Sequence, residues 1–183
     1  VPDDGTLAIY GQWSYDDKYI IYVSYNPGNK TYSLNAFDEA AKTTRKLVDG
    51  GAEIFSVSPV ANELVYVPNA AGRSNPNRTV RIVNFNDSQN DTVLYEITGN
   101  NIVSSVSWKP DGKYVSVLQE HYEITEKTIL RSNFDLYLID PVTKKSMRSD
   151  LLGNFFKGIE EKKGGRGSLQ WSPTGHILFS CKN

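Results

Sequence analysis

One cysteine, Cys181, stands in 183 residues, so no disulfide closes within the chain and no CxxC metal or redox site exists. Histidine is almost as scarce. His121 and His176 lie far apart, without the spacing of metal ligands, and neither a metal nor a cofactor is expected. No stretch approaches the roughly 18 consecutive apolar residues of a membrane-crossing helix. Neither sign of charge is in excess. Twenty Lys and Arg against 21 Asp and Glu leave a formal net charge of −1, which argues against a dedicated nucleic-acid binder, since such domains carry a basic surplus. Gly-x-Ser-x-Gly is missing, as are a Walker A sequence and a dinucleotide fingerprint behind a strand. No catalytic motif therefore stands out, and whether the chain is an enzyme stays open, with a binding role favoured. Helical periodicity is missing too, and 155–163 has room for one short helix at most.

What is present is repetition. QWSYDDKYIIYV begins at Gln12, SVSPVANELVYV at Ser56, SWKPDGKYVSVL at Ser107 and QWSPTGHILFSC at Gln170. Each copy has a bulky apolar residue, a small polar one, a tight turn built from Pro, Asp, Asn or Gly, and an apolar run. The anchors Trp13, Val57, Trp108 and Trp171 recur at intervals of roughly 40 to 60 residues, the spacing of β-propeller blades with insertions. In the third copy the pattern predicts strands over 102–108, 114–118, 136–139 and 145–151, with Pro110, Asp111 and Gly112 supplying the first hairpin turn. The same reading gives 7–13, 19–23, 32–37 and 44–48 in the first unit, and 54–57, 64–67, 80–85 and 92–97 in the second. The expected fold is all-β: a propeller of four-stranded antiparallel blades, about three and a half of them present. The single propeller region divides into blade 1 (6–50), blade 2 (51–100), blade 3 (101–152) and a partial blade 4 (167–183). Closed propellers have roughly four to eight blades. The expectation is of a piece of a larger propeller, or of one that self-associates or takes an additional chain to complete it.

Strand direction alternates at every turn, so first-to-second and third-to-fourth turns share one end of the blades. Second-to-third connections and the links between blades share the other. Short turns predominate at the first end. The predicted long loops 68–79, 119–133 and 152–167 all fall at the second, where loops on a rigid framework serve recognition. The candidate partner-binding residues are Arg73, Asn77 and Arg78 in the first loop, and His121, Tyr122 and Glu123 in the second. Phe155, Phe156, Lys163 and Arg166 are those of the third. Each has a plainer reading. A His beside a Glu is a common surface pair, two Phe side chains can pin their own loop, and the basic residues share theirs with Glu and Gly. His176 occupies a hairpin position, and Asp16, Asp17 and Asp111 sit in turns that local hydrogen bonding explains. Asn-x-Ser/Thr occurs at Asn29, Asn77, Asn86 and Asn90. It is the acceptor pattern for glycosylation, but chance produces it in a chain this rich in Asn, Ser and Thr.

The run Trp108-Lys109-Pro110-Asp111-Gly112-Lys113, followed by Leu136-Tyr137-Leu138-Ile139-Asp140, resembles the TolB-like, WD40-like propeller repeat. Trp171-Ser172-Pro173-Thr174-Gly175 matches its opening. The second unit departs from it, with Val57 for Trp and Ala61-Asn62 for Asp-Gly. The resemblance implies an extracytoplasmic site, periplasmic or at the cell surface. It leaves function open, because propellers host unrelated activities. Two readings stand. One is a non-catalytic scaffold that binds a protein or peptide partner through the rim with the long loops. The other is the substrate-gating propeller of a prolyl-oligopeptidase-like serine peptidase whose hydrolase domain lies outside this chain.

Overall fold

Runs such as Ile21–Val23–Leu34–Ala36 and Val115–Val117 are short, β-branched or aliphatic, and bounded by turn residues, and they build strands rather than helices. The computed structural model describes residues 6–48, 52, 54–68, 78–99, 101–125, 128–152 and 166–182. Of these, 88–89, 122–125, 128–133, 166 and 181–182 are described by backbone alone. The first sheet holds β1 (Leu7–Trp13), β2 (Tyr19–Asn26), β3 (Thr31–Asp38) and β4 (Thr43–Val48). The second holds β5 (Ile54–Val57), β6 (Glu63–Val67), β7 (Thr79–Asn84) and β8 (Asp87–Glu96). The third holds β9 (Asn101–Trp108), β10 (Val115–Thr125), β11 (Thr128–Ile139) and β12 (Ser146–Ser149). The fourth pairs β13 (Arg166–Trp171) with β14 (Ile177–Lys182). Strands follow chain order in every sheet, and each pairing is antiparallel.

The core is three slabs, one between each pair of successive sheets. Ile21, Val23, Leu34, Ala36, Phe55, Leu64, Val83 and Phe85 fill the first. Val65, Val67, Val80, Leu94, Val103, Val106, Trp108, Val115, Val117 and Ile139 fill the second. Leu118, Leu136, Leu152 and Leu169 fill the third, with Phe134 and Phe179 against them. Sheet three is therefore covered on both faces, and β10 is buried from Val115 to Glu120. Full burial of an aliphatic side chain contributes about 1.5–3 kcal/mol, so these slabs hold the blades face to face.

Polar staples fix the register between blades. Val57 N–H donates to Gln12 Oε1 at 2.8 Å, and Trp108 N–H donates to Ser56 Oγ at 3.1 Å. Gln12 and Ser56 hold the same repeat position, one residue before the anchor. At the third junction the staple moves two residues upstream: Leu169 N–H donates to Ser105 Oγ at 3.2 Å.

Several strand boundaries depart from the sequence pattern: β2 runs on to Asn26 rather than ending at 23, and three others shape the ends of blades 2 and 3. The segment 119–133 is not a loop, because β10 and β11 continue through it as a paired ribbon from Glu120↔Phe134 to Thr125↔Thr128. A ribbon that extends past its sheet has no broad face to bury, so it needs no apolar run. The fourth strand of blade 2 begins at Asp87 rather than 92, since the chain reverses at once through Phe85 and Asn86. The fourth strand of blade 3 stops at Ser149, and Asp150–Leu152 turns as a 3₁₀ element that buries Leu152.

Candidate partner-binding rim

The short-turn end is built to one plan. After each first strand, the backbone N–H of Ser14, Ser58, Lys109 or Ser172 donates across the turn to the carbonyl of Tyr19, Glu63, Tyr114 or His176, at 2.8–2.9 Å. Asp17, Gly112 and Gly175 take positive φ there. Ser172 Oγ accepts from His176 N–H, and Thr174 Oγ1 meets His176 Nδ1 at 2.9 Å, so His176 is a turn residue. Val57, Pro59, Trp108, Pro110, Trp171 and Pro173 line a depression of about 420 Å³ at this end. Its polar fittings are turned inward: Trp171 Nε1–H donates to Ser116 Oγ at 2.8 Å, and Lys109 Nζ lies 5.5 Å from the Trp171 ring centroid.

The opposite end differs from blade to blade, and among the described residues blade 3 has the longest strands there. Pairing of β10 with β9 ends at His121↔Asn101. Pairing of β11 with β12 extends only from Ile139 to Leu136. The ribbon beyond these limits, 122–125 with 128–133, therefore projects past both flanking strands. A register shift between Glu120 and Tyr122 marks where it leaves the sheet, and a bulge there bends and twists the strands.

Its base is tied down by a polar cluster. Asp135, opposite Gln119 in the ladder, points one carboxylate oxygen at His121 Nε2 at 2.6 Å and accepts from Arg148 Nη2 on the other at 2.5 Å. One largely buried carboxylate thus joins β10, β11 and β12. Gln119 Nε2–H donates to Tyr95 Oη at 2.7 Å, bridging to the outer strand of blade 2. Burial pushes the Tyr95 phenol up from its ordinary value, and the nearby Tyr137 and Asp135 act in the same direction. In blade 2, Tyr66 donates to Asp91 at 2.6 Å and Arg81 Nε pairs with the same carboxylate at 2.9 Å. Burial, then the Asp91 hydrogen bond and charge, raise the Tyr66 phenol strongly.

The candidate residues chosen from sequence are only partly brought together. His121 lies in the cluster, on a strand rather than a loop. Tyr122 pairs with Arg131 and Glu123 with Leu130, both within the ribbon. Arg78 is half-buried, and its carbonyl accepts from Ile97 N–H at 2.9 Å, which pins the ends of β7 and β8 together. Arg166 opens β13 opposite Lys182. Arg73, Asn77, Phe155, Phe156 and Lys163 lie outside the described residues. Asp135, Arg148, Gln119 and Tyr95 carry the cluster, and sequence reasoning missed them because no local motif links positions so far apart.

Little chemistry is assembled here. Among the described residues no group of three or more His, Cys, Asp and Glu is placed to hold a metal ion, and no Ser or Thr hydroxyl hydrogen-bonds His121. No helix of the described residues is long and apolar enough to cross a membrane.

No family model and no curated protein sequence matches the chain. Solved structures do match in shape. An oligogalacturonate lyase from Vibrio parahaemolyticus aligns over 81% of this chain and 42% of its own, at 10% identity and TM-score 0.61. Hydrazine synthase from Kuenenia stuttgartiensis aligns over 94% and 61%, at 13% identity and TM-score 0.57. An acylaminoacyl peptidase from Pyrococcus horikoshii aligns over 79% and 25%, at 9% identity and TM-score 0.59. The chain thus spans less than two thirds of each of these proteins. At such identities the likeness speaks for architecture alone, and the architecture is that of a partial β-propeller.

Proposed function

We propose that this chain is a non-catalytic propeller scaffold that binds a protein or peptide partner through the rim opposite its short turns, with the β10–β11 ribbon as the principal contact arm. The observation that carries the reading is the ribbon itself. It outreaches β9 and β12, and Asp135 anchors its base to two neighbouring strands. A projecting element on a rigid base loses less conformational entropy on binding than a free loop does. The repeat resemblance supports an extracytoplasmic setting for such a scaffold. The peptidase-gating alternative draws on the same fold likeness, which the lyase shares, and no residue of this chain favours it.

The test uses peptides selected from a displayed random library against the intact chain. Replacing 122–131 by Asn-Gly, a tight two-residue hairpin turn, is expected to abolish capture of those peptides and to leave the thermal midpoint unchanged. Capture that persists at full strength on the shortened, folded chain overturns the assignment to this rim.

A further inference from the structure

Resting on that reading, we infer that the ribbon takes its partner as an extended strand, added to the free edge of β11 between Thr128 and Asn133. Among the described residues, Thr128, Ile129, Leu130 and Arg131 pair only with β10, Ser132 and Asn133 fall at the register shift before Phe134, and β12 reaches no further than Leu136. A strand edge presents unpaired N–H and C=O groups at every second residue, and at that spacing only another extended backbone satisfies them. The edge itself therefore names the class of occupant: a peptide segment in β conformation. Its length, about 3.3 Å per residue, gives a seat of roughly 20 Å.

The contrast with β4, β8 and β12, the fourth strands of their sheets, strengthens the assignment. Proteins blunt exposed edges with charge, with brevity or with proline. The outer strand β4 carries Arg45 and Lys46 among six residues. β8 carries Asp87, Asp91 and Glu96, and β12 is four residues long with Arg148 in it. The 128–133 edge, Thr-Ile-Leu-Arg-Ser-Asn, has one charge, no proline and two aliphatic residues. It has the composition of a strand that is meant to pair. Strand addition draws affinity from main-chain hydrogen bonds and specificity from alternate side chains, so the preferred segment is free of proline and rich in β-branched residues.

The experiment uses the same displayed library on the full chain, with backbone hydrogen exchange as the readout. Bound peptide is expected to slow exchange at alternate amides between 128 and 133 by at least about tenfold, the equivalent of one hydrogen bond of about 1.4 kcal/mol. Leu130→Pro and Arg131→Pro remove adjacent N–H groups that point to opposite sides of the strand. The variant that keeps the β10 amides protected has lost the outward group, and it is expected to weaken capture by about tenfold or more. Peptide that needs the ribbon but leaves 128–133 unprotected overturns strand addition while the partner-binding reading survives. Capture indifferent to the ribbon sinks both. A chain that instead pairs with a second copy through 128–133 replaces the peptide with that copy as occupant and overturns the inference.

Discussion

At the residue scale, one missing hydroxyl separates two of the tryptophans that hold the same repeat position. Trp171 Nε1 donates to Ser116, a residue of the preceding blade that also donates to Ser107 O at 2.7 Å. Counted from the anchors, the position that serves Trp108 in the same way is Val65, which has no hydroxyl. Trp108 is buried, and its Nε1 finds no acceptor. An enclosed donor without a partner costs about 1–3 kcal/mol, here offset by the apolar packing of Val65 in the second slab. Val65→Ser should return part of that cost. Both Val65→Ser and Val67→Ser remove buried methyl groups from the same strand face, but only the first offers Trp108 an acceptor. Val65→Ser is therefore expected to destabilise by about 1 kcal/mol less than Val67→Ser in denaturant titrations. Equal losses would show that the indole does not use the new hydroxyl.

At the scale of elements, the short turns are the parts whose sequence chemistry is most direct. Gly112 has a φ of +67°, and a Cβ placed on it would lie 2.3 Å from Val60 Cγ2 in the neighbouring blade's turn. Gly175 has a φ of +83° with open space around it. Gly175→Ala then reads the backbone penalty alone, about 1–2 kcal/mol. Gly112→Ala should cost more by the clash, and Val60→Ala in the same chain should return it toward the Gly175 value, as thermal denaturation would register. A Gly112→Ala cost equal to that of Gly175→Ala would mean the two turns do not press together. These turns were legible because Pro, Asp and Gly at fixed offsets have one mechanical use. The apolar second strands β6 and β10 were legible because both their faces are covered. The ribbon was not, for the converse reason: the stretch 124–129, Ile-Thr-Glu-Lys-Thr-Ile, has no Gly, Pro, Asn or Asp to signal a turn. The anchoring pair His121–Asp135 was equally hidden, because its two halves are joined by register across a hairpin and not by proximity in the chain.

At the scale of the whole molecule, the three slabs make the chain a stack in which the core joins each blade to its neighbours. Stability in such an array is a sum of blade and junction terms. The staples allow that to be measured. Ser56 Oγ serves the junction of blades 2 and 3, and Ser105 Oγ serves that of blades 3 and 4. The two share blade 3 but no partner atom. Removing either hydroxyl should cost about 1 kcal/mol. If junctions are independent, the double variant Ser56→Ala with Ser105→Ala loses the sum of the two single losses, to within about 0.5 kcal/mol. A double loss well beyond that sum would mean that blade 3 transmits strain from one junction to the other. The Asp135 cluster would then feel both junctions, since it spans β10, β11 and β12 of that blade and reaches blade 2 through Gln119. The rim could then be tuned by substitutions far from any partner, and peptide capture by the Ser105→Ala chain would fall along with its stability. With independent junctions, capture by that variant stays at the parent level while it remains folded, and the rim behaves as a fixed platform.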